Sequence, residues 1–374
     1  MYSKYVCGAA LALVLTIGGT AAVAKPGDKI EGSYICVFKA GSVARGSVRS
    51  EAERAAGNGV KHVYENSIRG FSANGNSAAA LAARNPHIAY CEQDQEVAAI
   101  QSGGPFDFRV LGRPGTPSQP PQSTPWGVTR VKGGAGTGSG GGTAWVIDTG
   151  IDLDHPDLNV DTARSRSFIR DLSPNDANGH GSHVSGIIGA RDNSIGVVGV
   201  SPGATLVAVR VLDRNGRGAN SDVIAGVDYV AGNGHFGDVA NMSLGGGVST
   251  ALDNAVVAAA ATGVKFTLAA GNESDSATNH SPARANGPNV YTVSSFAKND
   301  QWSSFSNFGN PPVDYAEPGS SIPSTYKDGG YATLSGTSMA APHLAGILLT
   351  RSTPASGGTV KGDPDGNPDP IGTK

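Results

Sequence analysis

Short apolar runs alternate with helical patterns in the larger part of the chain, from about residue 140 onwards. Five runs are nearly all apolar and rich in β-branched residues, at 143–148, 205–212, 239–244, 264–270 and 290–293. Between them lie helical patterns at 183–190, 221–231 and 250–262. A strand that has no polar residue at every second position is buried on both faces. Strands of this kind with helices between them along the chain are typical of a parallel sheet. The pattern therefore predicts an α/β domain whose parallel sheet carries helices on both faces.

A smaller unit precedes this domain, over residues 25–100. Its pattern runs strand, helix, strand, strand, helix, strand, with strands near 33–38, 62–64, 70–72 and 88–92 and helices near 50–56 and 78–84. This β-α-β-β-α-β order is typical of a split βαβ, ferredoxin-like sandwich. We therefore expect a small α+β unit in front of the α/β domain.

Composition marks two segments outside these units. Residues 101–121 are rich in Pro, Gly, Ser and Gln, which indicates an exposed linker that can be cleaved. Residues 351–374 are polar and rich in Pro and Gly, so we expect a disordered tail after an α/β domain that spans 122–350. A glycine-rich run at 133–142 precedes its strand instead of following it, and therefore does not predict a nucleotide-binding loop.

The first 24 residues have the features of a secretory signal peptide. Lys4 precedes an apolar run at 6–17, and small residues at 22–24 follow, so we expect cleavage after about Ala24. The apolar run is too short to span a membrane, although an uncleaved anchor is the alternative. A formal net charge of −3 leaves no basic surface for nucleic acid. We expect an exported monomer, extracellular or periplasmic, that binds neither nucleic acid nor, after cleavage, a membrane.

The chain has three cysteines, of which Cys7 would leave with the signal peptide. Cys36 and Cys91 lie in two predicted strands of the small unit. An oxidising compartment permits a disulfide between them, but two buried thiols would give the same sequence pattern. The sequence leaves both possibilities open.

Four polar residues fall at strand ends and helix starts, where sites form in open α/β sheets. Asp148 ends the first strand of the domain, and His180 lies in a turn that enters a helix. Asn272 follows another buried strand, and Ser338 begins a late helix, in which Pro342 fits an early turn because amides there lack partners. Each residue alone has a structural explanation, such as a cap or a turn. Together they offer a nucleophile, a base, an acid that orients the base, and an amide donor for an oxyanion.

The segments around these residues resemble the active-site motifs of the subtilases, a family of serine proteases. The resemblance lies in Asp148-Thr-Gly, His180-Gly-Ser-His-Val and Gly336-Thr-Ser-Met-Ala-Ala-Pro-His, and further motifs are similar to the proteinase K branch. Residues 30–97 resemble the propeptide inhibitor domain of that family. The chain departs from the usual pattern at Ser182, Ser185 and Leu344, and the helical structure that normally follows the serine helix is replaced by a polar tail.

The resemblance implies a subtilisin-like fold and a secreted serine endopeptidase of broad specificity. It would act on proteins and peptides through Asp148, His180 and Ser338, with Asn272 in the oxyanion hole, and its own propeptide would inhibit it until autoprocessing. The alternative is a catalytically silent peptide-binding protein on the same scaffold. An α/β-hydrolase esterase is not favoured, because neither its Gly-x-Ser-x-Gly motif nor its residue order is present.

The resemblance also implies two sets of binding residues. The substrate would lie between two backbone segments and above an apolar pocket, formed by Gly216, Gly218, Ser243, Leu244, Gly245, Ala269 and Gly271. A structural calcium ion would be held by oxygen atoms of Gln122, Asp157, Arg191, Asn193, Ile195 and Val197.

Overall fold

A computed structural model describes residues 24–75, 77–100, 119–135, 142–170 and 172–374. The predicted signal peptide lies outside the described residues except for its last residue, and so does most of the predicted linker. Within the described residues, no helix is long and apolar enough to cross a membrane.

The small N-terminal unit has the predicted order of elements. They are β1 (Lys29–Phe38), α1 (Val48–Ala56), β2 (Val60–Tyr64), β3 (Gly70–Asn74), α2 (Ala78–Arg84) and β4 (Ile88–Ala99). The strands form an antiparallel sheet in the order β4-β1-β3-β2, as the split βαβ arrangement requires. The two helices pack against this sheet around Phe71 and Leu81, which are fully buried.

A disulfide joins Cys36 of β1 to Cys91 of β4. The two residues are direct partners in the antiparallel register, with their Cα atoms 4.0 Å apart. A unit of this size buries a small core, and a covalent link between its first and last strands restricts the unfolded chain. The structure thus selects the bridge from the two possibilities that the sequence leaves open.

The large domain, residues 119–374, contains five α-helices within its described part. They are α3 (Trp126–Arg130), α4 (His180–Gly189), α5 (Asn220–Asn233), α6 (Thr250–Ala260) and α7 (Thr337–Thr350). Its strands are β5 (Thr143–Asp148), β6 (Arg166–Ser167), β7 (Thr205–Arg210), β8 (Arg217–Ala219), β9 (Val239–Met242), β10 (Leu244–Gly246), β11 (Lys265–Ala269), β12 (Val290–Ala297), β13 (Gln301–Trp302), β14 (Val313–Pro318), β15 (Ile322–Tyr326), β16 (Gly330–Leu334), β17 (Ala355–Thr359) and β18 (Pro370–Thr373).

The main sheet of this domain has the order β17-β18-β14-β12-β11-β9-β5-β7-β6, and neighbours from β18 to β6 run parallel. Successive side chains of a strand point to opposite faces. In β5, Trp145 and Ile147 pack into the cluster that contains α5 and α6, whereas Ala144 and Val146 pack into the cluster that contains α4 and α7. The predicted α/β fold with helices on both faces is therefore confirmed.

Helix α7 runs through the interior, and its residues from Thr337 to Leu349 are all buried. Pro342 is the sixth residue of this helix, so it lies deeper than the early turn that its missing amide hydrogen favours. A proline here removes the hydrogen bond that would reach the carbonyl of Ser338. The hydroxyl of Ser243 donates to that carbonyl instead, at 2.9 Å. A side chain from the sheet thus replaces the lost helical donor.

The expected disorder of residues 351–374 is wrong. The strands β17 and β18 form an antiparallel hairpin, and β18 pairs with the edge strand β14. Val360 and Ile371 are buried against Phe296 and Ala316 of the sheet. The polar composition of the segment suggested disorder, but an edge strand supplies backbone partners, so two apolar anchors are enough to hold a hairpin.

We expect Ile371→Ala to destabilise the protein by about 2–4 kcal/mol, because the isoleucine is 1% exposed and its loss leaves a cavity. Thr359→Ala, at an exposed position of the same hairpin, is the control and should change stability little. Denaturant unfolding of the purified chains measures both values. Equal stability of the two variants would mean that the hairpin is not packed as described.

Candidate active site

Asp148 and His180 form a buried pair at the carboxyl end of the sheet. The Nδ1 atom of His180 lies 2.8 and 3.0 Å from the two carboxylate oxygens of Asp148, and neither side chain is exposed. Helix α4 begins at His180, three residues earlier than its pattern predicts, after Gly179 with a φ of 112°. Gly181 brings the helix against the strand end, where a Cβ atom would lie 2.1 Å from the carbonyl of Gly150. The first turn of α4 therefore fixes the imidazole against the carboxylate.

Ser338 lies in the first turn of α7, a helix that packs against α4 in the same hydrophobic cluster. Its hydroxyl donates to the carbonyl of Ser243 at 3.0 Å. The Nε2 atom of His180 is buried and has no hydrogen-bond partner among the described residues. The imidazole thus keeps one nitrogen on Asp148 and the other one available, and the serine hydroxyl is engaged by the carbonyl of Ser243.

Asn272 follows β11 and is anchored by its oxygen. Its Oδ1 accepts hydrogen bonds from the backbone and the hydroxyl of Thr337, at 2.9 and 3.0 Å. Its Nδ2 is buried without a hydrogen-bond partner within the described residues. A neutral donor held in this way by the residue that precedes Ser338 can stabilise a negative oxygen that develops near Ser338.

The predicted substrate segments hold a strand of the N-terminal unit. β4 continues to Ala99, beyond the predicted end at residue 92, because its last part pairs antiparallel with β8 and β10. The amide of Ala99 donates to the carbonyl of Gly216 at 2.9 Å, and the amide of Ile100 donates to the carbonyl of Ser243 at 3.2 Å. The carbonyl of Ser243 therefore accepts from both Ile100 and the Ser338 hydroxyl. Gly218 and Leu244 belong to the two flanking strands.

A cavity of about 480 Å³ adjoins Ile100. The predicted pocket residues Gly245, Ala269 and Gly271 line it. Glu273 and His280 line it as well, and His280 Nε2 lies 3.8 Å from a carboxylate oxygen of Glu273. The sequence places Glu273 directly after Asn272, but no spacing rule links it to His280, so the sequence analysis missed this polar part of the wall.

Two acidic residues of β4 contact the starts of two helices in the large domain. Asp94 accepts a hydrogen bond from the amide of Ser221 in α5 at 3.1 Å, and from the hydroxyl of Ser33 in its own unit at 3.0 Å. Glu92 accepts hydrogen bonds from the hydroxyl of Ser249 and from the amide of Ala251 in α6. Carboxylates are stabilised at helix N-termini, where amides lack intrahelical acceptors.

Helix α5 carries two further carboxylates that face the N-terminal unit. Asp222 lies 2.8 Å from the Nζ atom of Lys61 and 2.7 Å from the Nε2 atom of His62. Asp228 accepts hydrogen bonds from the three consecutive amides of residues 65–67, at 2.7 to 3.1 Å. The N-terminal unit is thus held on the large domain by charged contacts as well as by strand pairing.

The predicted calcium ligands are gathered around one loop. The carboxylate of Asp157 accepts from the Nδ2 atom of Asn193 at 2.8 Å and from the amide of Val197 at 3.1 Å. The Oε1 atom of Gln122 accepts from the amide of Asn193 at 2.6 Å. Arg191 and Ile195 belong to the same loop. Among the described residues no group of three or more His, Cys, Asp or Glu side chains is suited to a metal, and the predicted set contains only one carboxylate.

Two other histidines of the motifs are buried and serve the fold. The Nε2 atom of His183 lies 3.0 and 3.1 Å from the carbonyls of Ile322 and Ala332 in the β15–β16 hairpin. The Nδ1 atom of His343 lies 2.8 Å from the carbonyl of Met339. Burial lowers the pKa of His183 to about 3 and that of His343 to about 4, so both rings are neutral near pH 7.

The departures in the histidine motif are accommodated by hydrogen bonds. The hydroxyl of Ser182 donates to Asp176 at 2.7 Å and accepts from the amide of Asp152 at 2.9 Å. The hydroxyl of Ser185 donates to the carbonyl of Gly181 at 2.7 Å. Neither serine therefore leaves a buried hydroxyl without a partner.

Comparisons with known proteins agree with this arrangement. A sequence profile of the Subtilase family matches residues 143–352. Alkaline serine exoprotease A of Vibrio alginolyticus is 42% identical over 77% of this chain and 52% of its own length. Alkaline serine protease ver112 of Corniculantispora psalliotae is 34% identical over 90% of this chain and 87% of its own. This chain therefore spans about half of the first relative and most of the second.

A solved structure is similar as well. The crystal structure of a cold adapted subtilisin-like serine proteinase aligns with a TM-score of 0.58 and 41% sequence identity. The alignment covers 66% of this chain and 96% of that chain.

The buried His343 predicts a pH dependence of stability. In the unfolded chain a histidine takes up a proton below a pKa of about 6.5, whereas folded His343 does so only near 4. The unfolded state binds more protons between these values, so stability falls as the pH decreases from about 6.5 to about 4, by up to about 1.4 kcal/mol per pH unit.

We expect His343→Gln to lose less stability between pH 7 and pH 5 than the wild type. His235→Gln, at an exposed position, is the control and should keep the wild-type dependence. Other titrating groups are common to all the proteins and cancel in the comparison. Denaturant unfolding at the two pH values measures the effect, and the same slope in His343→Gln and the wild type would contradict it.

Proposed function

Because the chain belongs to the subtilase family of serine proteases, we propose that it is a secreted serine endopeptidase of broad specificity, made as a self-inhibited precursor. One observation carries this proposal. The strand that ends at Ile100 lies in the cleft, and its last amide donates to the same Ser243 carbonyl that accepts the hydroxyl of Ser338. A peptide bond after Ile100 would therefore lie beside a serine, a histidine and an aspartate.

The proposed reaction begins with the Ser338 hydroxyl. Its oxygen attacks the peptide carbonyl while the Nε2 atom of His180 takes the proton, and Asp148 holds the opposite ring nitrogen and stabilises the imidazolium. The Nδ2 atom of Asn272 and the amide of Ser338 donate to the oxyanion. The carbon–nitrogen bond then breaks, His180 gives its proton to the leaving amine, and a water molecule hydrolyses the ester by the same steps.

Broad specificity follows from the way the strand is held. β8 and β10 contact β4 through backbone hydrogen bonds, which any extended peptide can form except at proline. Side chains would contribute mainly at the pocket beside Ile100, which is lined largely by small residues, with Glu273 and His280 on one wall.

We propose that the first self-cleavage breaks the bond between Ile100 and Gln101. This position lies immediately before the expected linker, and the backbone contacts of Ala99 and Ile100 support it. After cleavage the N-terminal unit would keep its contacts with α5 and α6, and would inhibit the enzyme as a bound product until it is degraded.

Ser338→Ala should fold but lack peptidase activity, and should keep residues 25–100 attached. Related subtilisins lose about a million-fold in turnover without this serine, and we expect a loss of the same order. The control is Ser304→Ala, at an exposed serine, which should be processed like the wild type. Peptide hydrolysis, N-terminal sequencing and labelling by a fluorophosphonate are the measurements. An active Ser338→Ala protein would refute the proposal, and a wild type that is neither labelled nor active would favour the silent binding protein.

A calcium ion would fit the loop beside Asp157. Within the described residues, the hydrogen-bond donors to the carboxylate of Asp157 are neutral groups of Asn193, Val197 and Tyr331, and the charge of Arg191 acts on it without a hydrogen bond. The neighbouring amide side chains and loop carbonyls add the further hard oxygens that calcium prefers. Bound calcium would neutralise the carboxylate and hold the segment at Gln122 against the loop. The ligands would be Gln122, Asp157, Arg191, Asn193, Ile195 and Val197.

Chelator should lower the thermal unfolding midpoint of the Ser338→Ala protein, which cannot digest itself. A ligand that binds only the folded state adds about 2.7 kcal/mol at a hundredfold excess over its dissociation constant. Asp157→Asn should remove the effect of calcium, whereas Asp154→Asn, at an exposed position of the same turn, should retain it. Equal midpoints with and without chelator would exclude the site.

A further inference from the structure

The contacts between β4 and the large domain extend well beyond the cleft. Glu92 lies eight residues before Ile100 on the same strand, and its carboxylate reaches the first turn of α6. There it accepts hydrogen bonds from the hydroxyl of Ser249 and from the amide of Ala251. The side chain of Gln95 donates to the carbonyl of Val248, just before this helix, at 2.9 Å. The segment Val248–Ala251 thus forms hydrogen bonds with side chains that lie far from the bond to be cleaved.

The chemistry of this segment favours a carboxylate over an amide. Ser249 and Ala251 contribute donors to Glu92, and the start of α6 adds the positive end of an eleven-residue helix. A glutamine in place of Glu92 would offer one acceptor and would turn its amino group towards these donors. The negative charge of Asp253 in the same first turn is balanced by Arg284, at 3.2 Å.

Glu92 differs in one respect from Asp94, which contacts α5. Asp94 also accepts a hydrogen bond from Ser33 of the N-terminal unit, so its position depends on that unit being folded. Both hydrogen bonds to the carboxylate of Glu92 come from the large domain, and the N-terminal unit acts on it through the charge of Lys29. The contact at α6 can therefore be made by a peptide that shares only the strand, without the rest of the N-terminal unit.

We propose that the processed enzyme uses Val248–Ala251 as a remote subsite, which binds an acidic residue at the ninth position before the cleaved bond of an extended substrate. This inference rests on the proposed peptidase function and on the release of the N-terminal unit. The substrate backbone would follow the path of β4 from Glu92 to Ile100. The backbone contacts in the cleft do not distinguish between substrate sequences. The subsite would favour those substrates that carry the acidic residue.

The expected effect is modest. Burial raises the pKa of Glu92, because the loss of hydration disfavours the charged carboxylate more than its hydrogen bonds favour it. The net gain is therefore small, and we expect an anion at this helix N-terminus to improve binding by about two- to fivefold. The gain should appear in KM, because the subsite lies far from the reacting atoms.

The test uses the secreted, processed enzyme and two quenched fluorescent peptides. One is Glu-Gln-Asp-Gln-Glu-Val-Ala-Ala-Ile-Gln-Ser-Gly, the sequence of residues 92–103, and the other has glutamine in place of its first residue. Mass spectrometry identifies the products, and only cleavage after the isoleucine is counted. We expect a two- to fivefold lower KM for the peptide with glutamate and the same kcat. In Ser249→Ala, which removes one of the two donors, the ratio of the two KM values should fall towards one.

The ratio is measured within one enzyme, so a general loss of stability or activity in Ser249→Ala cancels. Equal KM values for the two peptides on the wild type would overturn the remote subsite, as would an unchanged ratio in Ser249→Ala. The short peptide Val-Ala-Ala-Ile-Gln-Ser-Gly separates this result from a failure of the proposed function. If the wild-type enzyme cleaves the short peptide, the peptidase stands whatever the outcome for the subsite; if it cleaves none of the three, both proposals fall.

Discussion

The hydrogen bond from the hydroxyl of Ser243 to the carbonyl of Ser338 is the contact on which the centre of the molecule depends. Helix α7 is buried along nearly its whole length, so each of its backbone groups needs a partner inside the protein. Pro342 removes one of these partners, and Ser243 supplies it from the sheet. Ser243 is held in turn by the Nδ2 atom of Asn241, whose Oδ1 accepts from Thr267. Three neighbouring polar side chains thus fix the first turn of the helix against β9 and β11.

The same residue connects the helix to the substrate cleft. Its carbonyl accepts from the hydroxyl of Ser338 and from the amide of Ile100, so the serine and the strand in the cleft share one acceptor. Any displacement of β10 would move both. The rigid core therefore extends to the point at which the peptide lies, and a strand added between β8 and β10 completes backbone pairing that these short edge strands leave open.

The N-terminal unit is matched to the large domain in charge as well as in shape. Its acidic residues meet the starts of α5 and α6, and its amides and cationic side chains meet the carboxylates of α5. Each contact pairs a charged or polar group of the unit with a complementary group of the large domain. Because the disulfide ties β4 to β1, the strand that enters the cleft is held at its other end by the folded unit. The inserted strand is thus presented in one conformation, which reduces the entropy lost on binding.

The sequence by itself determined the elements and the chemistry that local patterns encode. Apolar runs predicted the parallel strands, because a buried strand needs no polar alternation, and the same strand ends identified Asp148 and Asn272. The turn at His180 and the helix start at Ser338 followed from glycine and proline positions. The polar C-terminal segment was misjudged for the same reason, since its composition is that of a disordered tail. Composition indicates how much apolar surface a segment has. It does not indicate whether the folded domain offers a strand with which the segment can pair.

Only the tertiary structure decided which distant surfaces meet. Three contacts depend on the register of β4. They are the hydrogen bond of Ile100 to Ser243, the contact of Glu92 with the first turn of α6, and the disulfide between Cys36 and Cys91. A register is set by many weak contacts between strands far apart in sequence, and a shift of one residue would turn every side chain to the opposite face. The polar wall of Glu273 and His280 likewise arises where the connection between β11 and β12 folds back on itself. Local sequence patterns carry no record of such convergence, because it is decided by the packing of the whole domain.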